Sequence, residues 1–127
     1  MPHLLRAMLI VIGLIHLLPV TGVLGNERLV QLYGVAFTDP NLSILMRHRA
    51  VLFGLLGGFL IYAAFRPDFQ PVALIVAGVS VLSFLALAWS VGSYNALIGR
   101  VVIADIVALV CWLVAVAAWF IVNRRAV

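Results

Sequence analysis

Apolar residues run along four long stretches of the chain, and most charged residues collect at the ends of these stretches. The stretches lie at about residues 4–24, 40–65, 71–92 and 95–123. A helix needs about 20 apolar residues to cross about 30 Å of hydrocarbon, and each stretch meets that length. The pattern therefore predicts a single all-α domain, residues 1–127, with four transmembrane helices. Because the connections are short, we expect consecutive helices to be antiparallel neighbours in a bundle.

The connections carry local signals for the ends of helices. Asp39 followed by Pro40 is typical of a helix N-terminus, because aspartate accepts hydrogen bonds from free N–H groups and proline fits the first turn. In the longest connection, the segment Asn26–Tyr33 begins with a capping residue, has an early acid and is followed by Gly34. These features mark the start and stop of a helix. We predict a short interfacial helix there, on the periplasmic side.

The composition excludes a soluble protein. Hydrophobic residues make up 66% of the chain and charged residues 9%, and lysine is absent. The first apolar stretch resembles a secretory signal, but it is too long and lacks a small-residue cleavage motif, so we expect it to be kept as a helix. The single cysteine, Cys111, leaves no CxxC redox pair. The net charge of +4 does not indicate nucleic acid, because the arginines are not clustered on a soluble face.

The arginines divide equally between the two sides of the predicted membrane, so their number alone does not orient the chain. One side has Arg6, Arg66, Arg124 and Arg125, and the other has Arg28, Arg47, Arg49 and Arg100. The second group is mixed with acidic residues, so we interpret it as paired rather than as an orientation signal. We therefore expect a multi-pass protein of the bacterial inner membrane with both termini in the cytoplasm.

Arg47 is predicted to point into the bundle. Its face of the second helix contains the small residues Ala50, Gly54 and Gly58, which let a neighbouring backbone approach closely. At 1.5 Å per residue, Arg47 lies roughly 27 Å and Asp105 roughly 26 Å from the cytoplasmic ends of their helices. We therefore predict an Arg47–Asp105 ion pair, which would offset much of the ~3 kcal/mol cost of an intramembrane charge. The pair is interpreted either as a clamp between helices or as part of a headgroup site.

Cationic side chains near the start of the second helix outnumber the acids that can neutralise them. We predict that Arg47, His48 and Arg49 bind the polar head of a lipid or amphiphile. His16 and Trp112 lie deeper, and we predict that they line an apolar cavity for the tail. Intramembrane polar residues are costly, so each is a candidate for function.

His16 has a second interpretation, as a neutral histidine held by structural hydrogen bonds. Its predicted partners are Ser80, Ser83 or a carbonyl freed by Pro19, which cannot donate to the preceding turn. The histidines of the chain lie at different depths and have no metal-ligand spacing. We therefore predict no metal and no other cofactor.

Several short motifs resemble those of DoxX-like small proteins of the bacterial inner membrane. The motifs are Leu32-Tyr-Gly34, Asp39-Pro-Asn-Leu42, Leu45-Met-Arg-His-Arg-Ala-Val-Leu-Phe-Gly54 and Asp105 in the last helix. The resemblance implies a four-helix membrane bundle with a small periplasmic helix. Related bundles include binders of hydrophobic ligands and accessory subunits of membrane oxidoreductases. The resemblance therefore implies one of these roles for this chain.

The polar groups and the resemblance favour a protein that binds a lipid or other amphiphile, or that serves as an accessory subunit in the membrane. A small homo-oligomeric transporter and a purely structural bundle are the alternatives. An enzyme is not predicted, because no nucleophile–base pair or metal set is expected at matching depth. The expected partners are membrane lipid and a second copy or another membrane protein, with no nucleic acid.

Overall fold

The computed structural model describes residues 2–34 and 39–126, and the regular secondary structure over those ranges is helical. Its elements in chain order are α1 (Pro2–Leu17), a 3-10 segment (Leu18–Leu24), α2 (Asn26–Tyr33), α3 (Pro40–Ala64), a 3-10 turn (Pro67–Phe69), α4 (Gln70–Val91) and α5 (Ala96–Ala126). Four stretches are long and apolar enough to cross a membrane, as the hydrophobic pattern predicts: Pro2–Leu24, Pro40–Ala64, Pro67–Val91 and Ala96–Arg124. Residues 35–38, in the connection before α3, lie outside the described residues.

The first of these stretches changes its helical form near its end. α1 ends at Leu17, and the 3-10 segment follows with Pro19 in its first turn. Proline has no N–H and its ring crowds the preceding turn, so regular α-helical hydrogen bonding does not continue through it. Gly25 then has a φ of 145°, which glycine adopts without the clash of a Cβ. Gly25 is also the N-cap of α2, so the prediction of Asn26 as the capping residue is wrong.

Two other helix ends follow their sequence signals. Gly34 ends α2 in the left-handed conformation, with a φ of 69° and its N–H donated to the carbonyl of Val30 at 2.7 Å. At the start of α3, the side chain of Asp39 accepts from the N–H of Asn41 at 2.9 Å, and Pro40 fills the first helical position. These local bonds satisfy backbone groups that have no partner inside their own helix.

The core combines large side chains on α1 with small ones on its neighbours. Leu5, Leu9 and Ile12 are at most 1% exposed and share one face of α1, since they are spaced four and three residues apart. The residues packed with them are mostly alanines of the other three long helices: Leu60, Ala63, Ala64, Ala73, Leu74, Ala77, Ala115 and Ala118. The alanines let helix backbones lie close together, and α1 packs chiefly on α3 and α5.

The backbones of α1 and α3 meet at Gly13 and Gly57. A Cβ on Gly57 would lie 2.7 Å from the carbonyl oxygen of Gly13, and a Cβ on Gly13 would lie 2.9 Å from that of Gly57. This contact differs from the small-residue face predicted for α3. Ala50 is buried and a Cβ on Gly54 would lie 3.4 Å from a side chain of the 3-10 segment, but Gly58 is exposed and a Cβ there would have nothing within 4 Å.

Candidate ligand-binding pocket

A cavity of about 490 Å³ lies where the end of α1 and the 3-10 segment meet α2, α3, α4 and α5. We call it the central pocket. Its cationic end is formed by Arg49 and Arg100, and its imidazole end by His16 and Ser80. Apolar side chains form most of the remaining wall: Leu32, Phe53, Phe84, Leu87, Leu97 and Val101. A volume of this size falls within the range of small-molecule sites, roughly 300–1,000 Å³.

His16 is 3% exposed and hydrogen-bonded through both ring nitrogens. Its Nδ1 lies 2.9 Å from the carbonyl oxygen of Ile12, and its Nε2 lies 2.8 Å from Oγ of Ser80. A carbonyl oxygen can only accept, so the hydrogen is assigned to Nδ1. A buried imidazolium would need a counter-ion, and among the described residues no carboxylate pairs with His16, so we assign the neutral ring. Nε2 therefore accepts from the hydroxyl of Ser80.

This geometry joins the two interpretations of His16. The ring is held by Ser80 and a main-chain carbonyl, although the carbonyl is that of Ile12 rather than the one freed by Pro19. It also forms part of the pocket wall, tilted against the ring of Phe53 with centroids 5.8 Å apart. A polar group with a fixed orientation is thus presented to an otherwise apolar cavity.

Arg49 lies close to two aromatic rings. Its guanidinium carbon lies 4.4 Å from the ring centre of Phe53 and 5.5 Å from that of Tyr33. Its Nη1 also donates to the hydroxyl of Tyr33 at 2.8 Å. The rings attract the cation through their electron-rich faces and limit the rotamers of its long side chain. Guanidinium has five N–H donors, so several donors remain for an anion in the pocket.

Tyr33, which supports Arg49, is itself anchored to α5. The side chain is 8% exposed, and its main-chain carbonyl accepts from Nδ2 of Asn95 at 2.7 Å. Asn95 precedes α5 and its Oδ1 accepts from the N–H of Ile98 at 2.8 Å, as a helix cap does. One asparagine thus caps α5 and ties it to the end of α2. The cationic end of the pocket therefore rests on contacts among α2, α3 and α5.

Asp105 is half-buried in the wall of the central pocket. Its carboxylate lies within the electrostatic range of Arg49, but it forms no hydrogen bond or ion pair with Arg49 or with any other residue that the structure describes. The pocket wall has two arginines, of which Arg100 is exposed, and one carboxyl group, which is a formal excess of one positive charge. A single negative charge on a ligand would neutralise that excess.

The predicted Arg47–Asp105 ion pair is absent from the described residues. Arg47 is exposed, and its Nε donates to the carbonyl oxygen of Val23 at 2.9 Å. The last carbonyls of a helical segment lack partners within that segment, and Val23 lies at the end of the 3-10 segment. The arginine whose charge acts on Asp105 is Arg49, although the two side chains form no ion pair.

Arg49 takes the place predicted for Arg47 because α3 is rotated about its axis relative to the prediction. Gly57 and Leu60 are buried in the contact with other helices, and Phe53 faces His16. Steps of four and three residues lead along one face from Arg49 through Phe53 and Gly57 to Leu60. The side chain two residues before Arg49 falls on another face. Because α3 contacts its neighbours through Gly57 rather than through Gly58, Arg49 lines the pocket and Arg47 does not.

Trp112 and His48 do not line the central pocket. Trp112 packs against α4, where a Cβ on Gly78 would lie 2.7 Å from its indole ring, and its Nε1 donates to the carbonyl of Leu74 at 2.7 Å. The prediction of Trp112 as a cavity residue is therefore wrong, because a glycine leaves room for the ring between α4 and α5. His48 is exposed on α3.

Of the predicted ligand-binding residues, the central pocket brings together His16 and Arg49. It adds Tyr33, Ser80 and Arg100, which were not predicted to bind ligand. The sequence carried a partial signal for each. Tyr33 lies four residues after Leu29 in a short helix, and both are buried, as on the inner face of an amphipathic helix. The other two are polar residues within or beside apolar stretches.

Comparison of the chain with protein-family models, curated proteins and solved structures finds no match. The DoxX-like resemblance therefore stays a prediction carried by the motifs alone. Within the described residues, no group of three or more histidines, cysteines and acids is arranged to hold a metal ion. The central pocket is consequently the feature of the described residues that indicates a function.

Proposed function

We propose that this chain is an antiparallel four-helix bundle of the bacterial inner membrane that binds a lipid or other amphiphile in the central pocket. Four apolar stretches of membrane-spanning length support insertion. Contacts between helices support the antiparallel arrangement. Nε of Arg6, near the start of α1, donates to the carbonyl of Ala64 at the end of α3. His16, at the end of α1, contacts Phe53 in the middle of α3.

The observation that carries the proposal is the division of the pocket into a cationic end and an apolar wall. An amphiphile has the same division between its head and its tail. Arg49 is already oriented by Tyr33 and Phe53, so binding an anion there costs little side-chain entropy. The excess of one positive charge favours a head with one negative charge, such as a carboxylate or a phosphodiester. The tail would contact Leu87, Val101 and their apolar neighbours.

The experiment compares two arginines of the same helix that differ in position. Arg49→Gln removes a cation from the pocket, whereas Arg47→Gln removes one from an exposed position outside it. Proteins in mild detergent are incubated with oleate or with uncharged oleyl alcohol, and native mass spectrometry measures the bound fraction. A hydrogen bond to a charged group contributes about 1.5–3 kcal/mol, so Arg49→Gln should weaken oleate binding about tenfold or more. Arg47→Gln should bind oleate as the unchanged protein does.

Equal retention of oleate by all three proteins would show that the cationic end does not bind an anionic head. Equal retention of oleate and oleyl alcohol by the unchanged protein would have the same meaning. The spectra also report the oligomeric state. A homo-oligomer without amphiphile would favour the small transporter, and a monomer without amphiphile would favour a purely structural bundle.

A further inference from the structure

The imidazole end of the central pocket can accept hydrogen bonds from a ligand but cannot donate them. Nδ1–H of His16 is used by the carbonyl of Ile12, and the hydroxyl hydrogen of Ser80 is used by Nε2 of His16. The hydroxyl of Ser83 donates to the main-chain carbonyl of Ser80 at 3.1 Å. All three donors are therefore satisfied within the protein. A serine oxygen has two lone pairs, so both hydroxyls can still accept from a ligand but cannot donate to it, and Oγ of Ser80 is the acceptor beside His16.

We propose that this acceptor selects an amphiphile with a hydroxyl group on its apolar body. The inference rests on the proposed function, which supplies the amphiphile, and it adds a second polar contact at the other end of the pocket. A ligand hydroxyl donates to Ser80 Oγ and makes a bond that the pocket can complete. A ligand ether or carbonyl oxygen can only accept a hydrogen bond, so it cannot bond to Ser80 Oγ. Its oxygen would lose water on binding without gaining a partner.

The separation of the two ends limits the shape of the ligand. Arg49 and Phe53 lie four residues apart on α3, about 6 Å along the axis. The ring of Phe53 lies 5.8 Å from that of His16. The acidic group and the hydroxyl of the ligand are therefore only about one or two turns apart, roughly 5–11 Å. Phe53 and Phe84 also line the wall of the pocket. A ring with an acid on one side and a hydroxyl on the other fits this arrangement, with an alkyl tail as its apolar part.

The test uses two probes that differ in one hydrogen-bonding group, 3-decyl-4-hydroxybenzoate and 3-decyl-4-methoxybenzoate. Isothermal titration calorimetry in lipid nanodiscs measures the affinity of each probe. One hydrogen bond contributes about 1 kcal/mol and an unsatisfied polar group costs more, so the hydroxy probe should bind at least fivefold more tightly. We compare the ratio of the two affinities among variants, because a merely structural change weakens the binding of both probes together.

Two variants separate hydrogen bonding from steric fit. His16→Leu frees the hydroxyl of Ser80 to donate to the methoxy oxygen, so the ratio should fall to within about twofold of unity. Ser80→Ala enlarges the pocket but leaves Nε2 of His16 as an acceptor, so the ratio should stay at fivefold or above. If the methoxy probe were excluded by its size, Ser80→Ala would instead abolish the preference. Thermal unfolding in the same nanodiscs verifies that both variants are folded.

Equal affinities of the two probes for the unchanged protein would overturn the inference, as would loss of the preference in Ser80→Ala. The oleate experiment distinguishes these failures from failure of the proposed function. If oleate binding depends on Arg49 and the two probes bind equally, the pocket binds amphiphiles without selecting a hydroxyl. If neither probe binds and oleate binding does not depend on Arg49, both proposals are wrong.

Discussion

Two adjacent glycines of α3 should respond in opposite ways to the addition of one methyl group. Gly57 lies against the backbone of α1, and a Cβ there would lie 2.7 Å from the carbonyl oxygen of Gly13 and 2.9 Å from side-chain atoms of Leu17. Gly58 lies beside it in the same helix, and a Cβ there would have nothing within 4 Å. The pair Gly57→Ala and Gly58→Ala thus changes the same chemistry at neighbouring positions in two different environments.

The expected magnitudes follow from two opposing terms. Replacing glycine by alanine within a helix stabilises it by about 0.8–1.0 kcal/mol in aqueous peptides. Gly58→Ala should therefore be neutral or stabilising by up to about 1 kcal/mol. At Gly57 the obstacle is a main-chain oxygen that cannot rotate away, so the helices must separate. Overpacking of this kind costs about 1–3 kcal/mol, and losing a close helix contact adds to it. Gly57→Ala should consequently lower the free energy of unfolding by about 1–2 kcal/mol.

Reversible unfolding in bicelles with increasing dodecyl sulfate measures both free energies. Circular dichroism should report unchanged helix content before the transition, since only the packing of α1 on α3 is altered. A stability loss in Gly58→Ala with none in Gly57→Ala would refute the reasoning. That result would mean that α3 contacts α1 through the face of Ala50, Gly54 and Gly58, and the orientation of Arg49 toward the pocket would fail with it.

Two further predictions concern α5 and the membrane orientation. Trp112→Phe removes the hydrogen bond to the carbonyl of Leu74 while keeping an aromatic ring, so the same unfolding assay should report a loss of about 1 kcal/mol; an unchanged stability would contradict the assignment. Gln31→Cys and Asp68→Cys, introduced separately without the native cysteine, should react with a membrane-impermeant maleimide from opposite sides in intact cells, with position 31 outside. Labelling of both from one side would refute the proposed topology.

Local chemistry determined those features of the chain that depend on neighbours in sequence. The number of long helices follows from hydrocarbon thickness, because an apolar stretch either reaches the required length or does not. The start of α3 follows from Asp39 and Pro40, and the end of α2 follows from Gly34, since caps are made within a few residues. His16 beside Ser80 was also among the predicted pairs, because few polar partners exist inside the apolar stretches.

Only the tertiary structure decided which face of each helix turns inward. A soluble helix reveals that face by its apolar stripe, but a membrane helix is apolar on nearly every side, so its pattern contains little information about rotation. The contact of Gly57 with Gly13 turns Arg49 into the central pocket and leaves Arg47 outside. The space at Gly78 likewise draws Trp112 away from the pocket. Both outcomes depend on which residue of a neighbouring helix lies opposite a glycine, which is a property of packing in three dimensions.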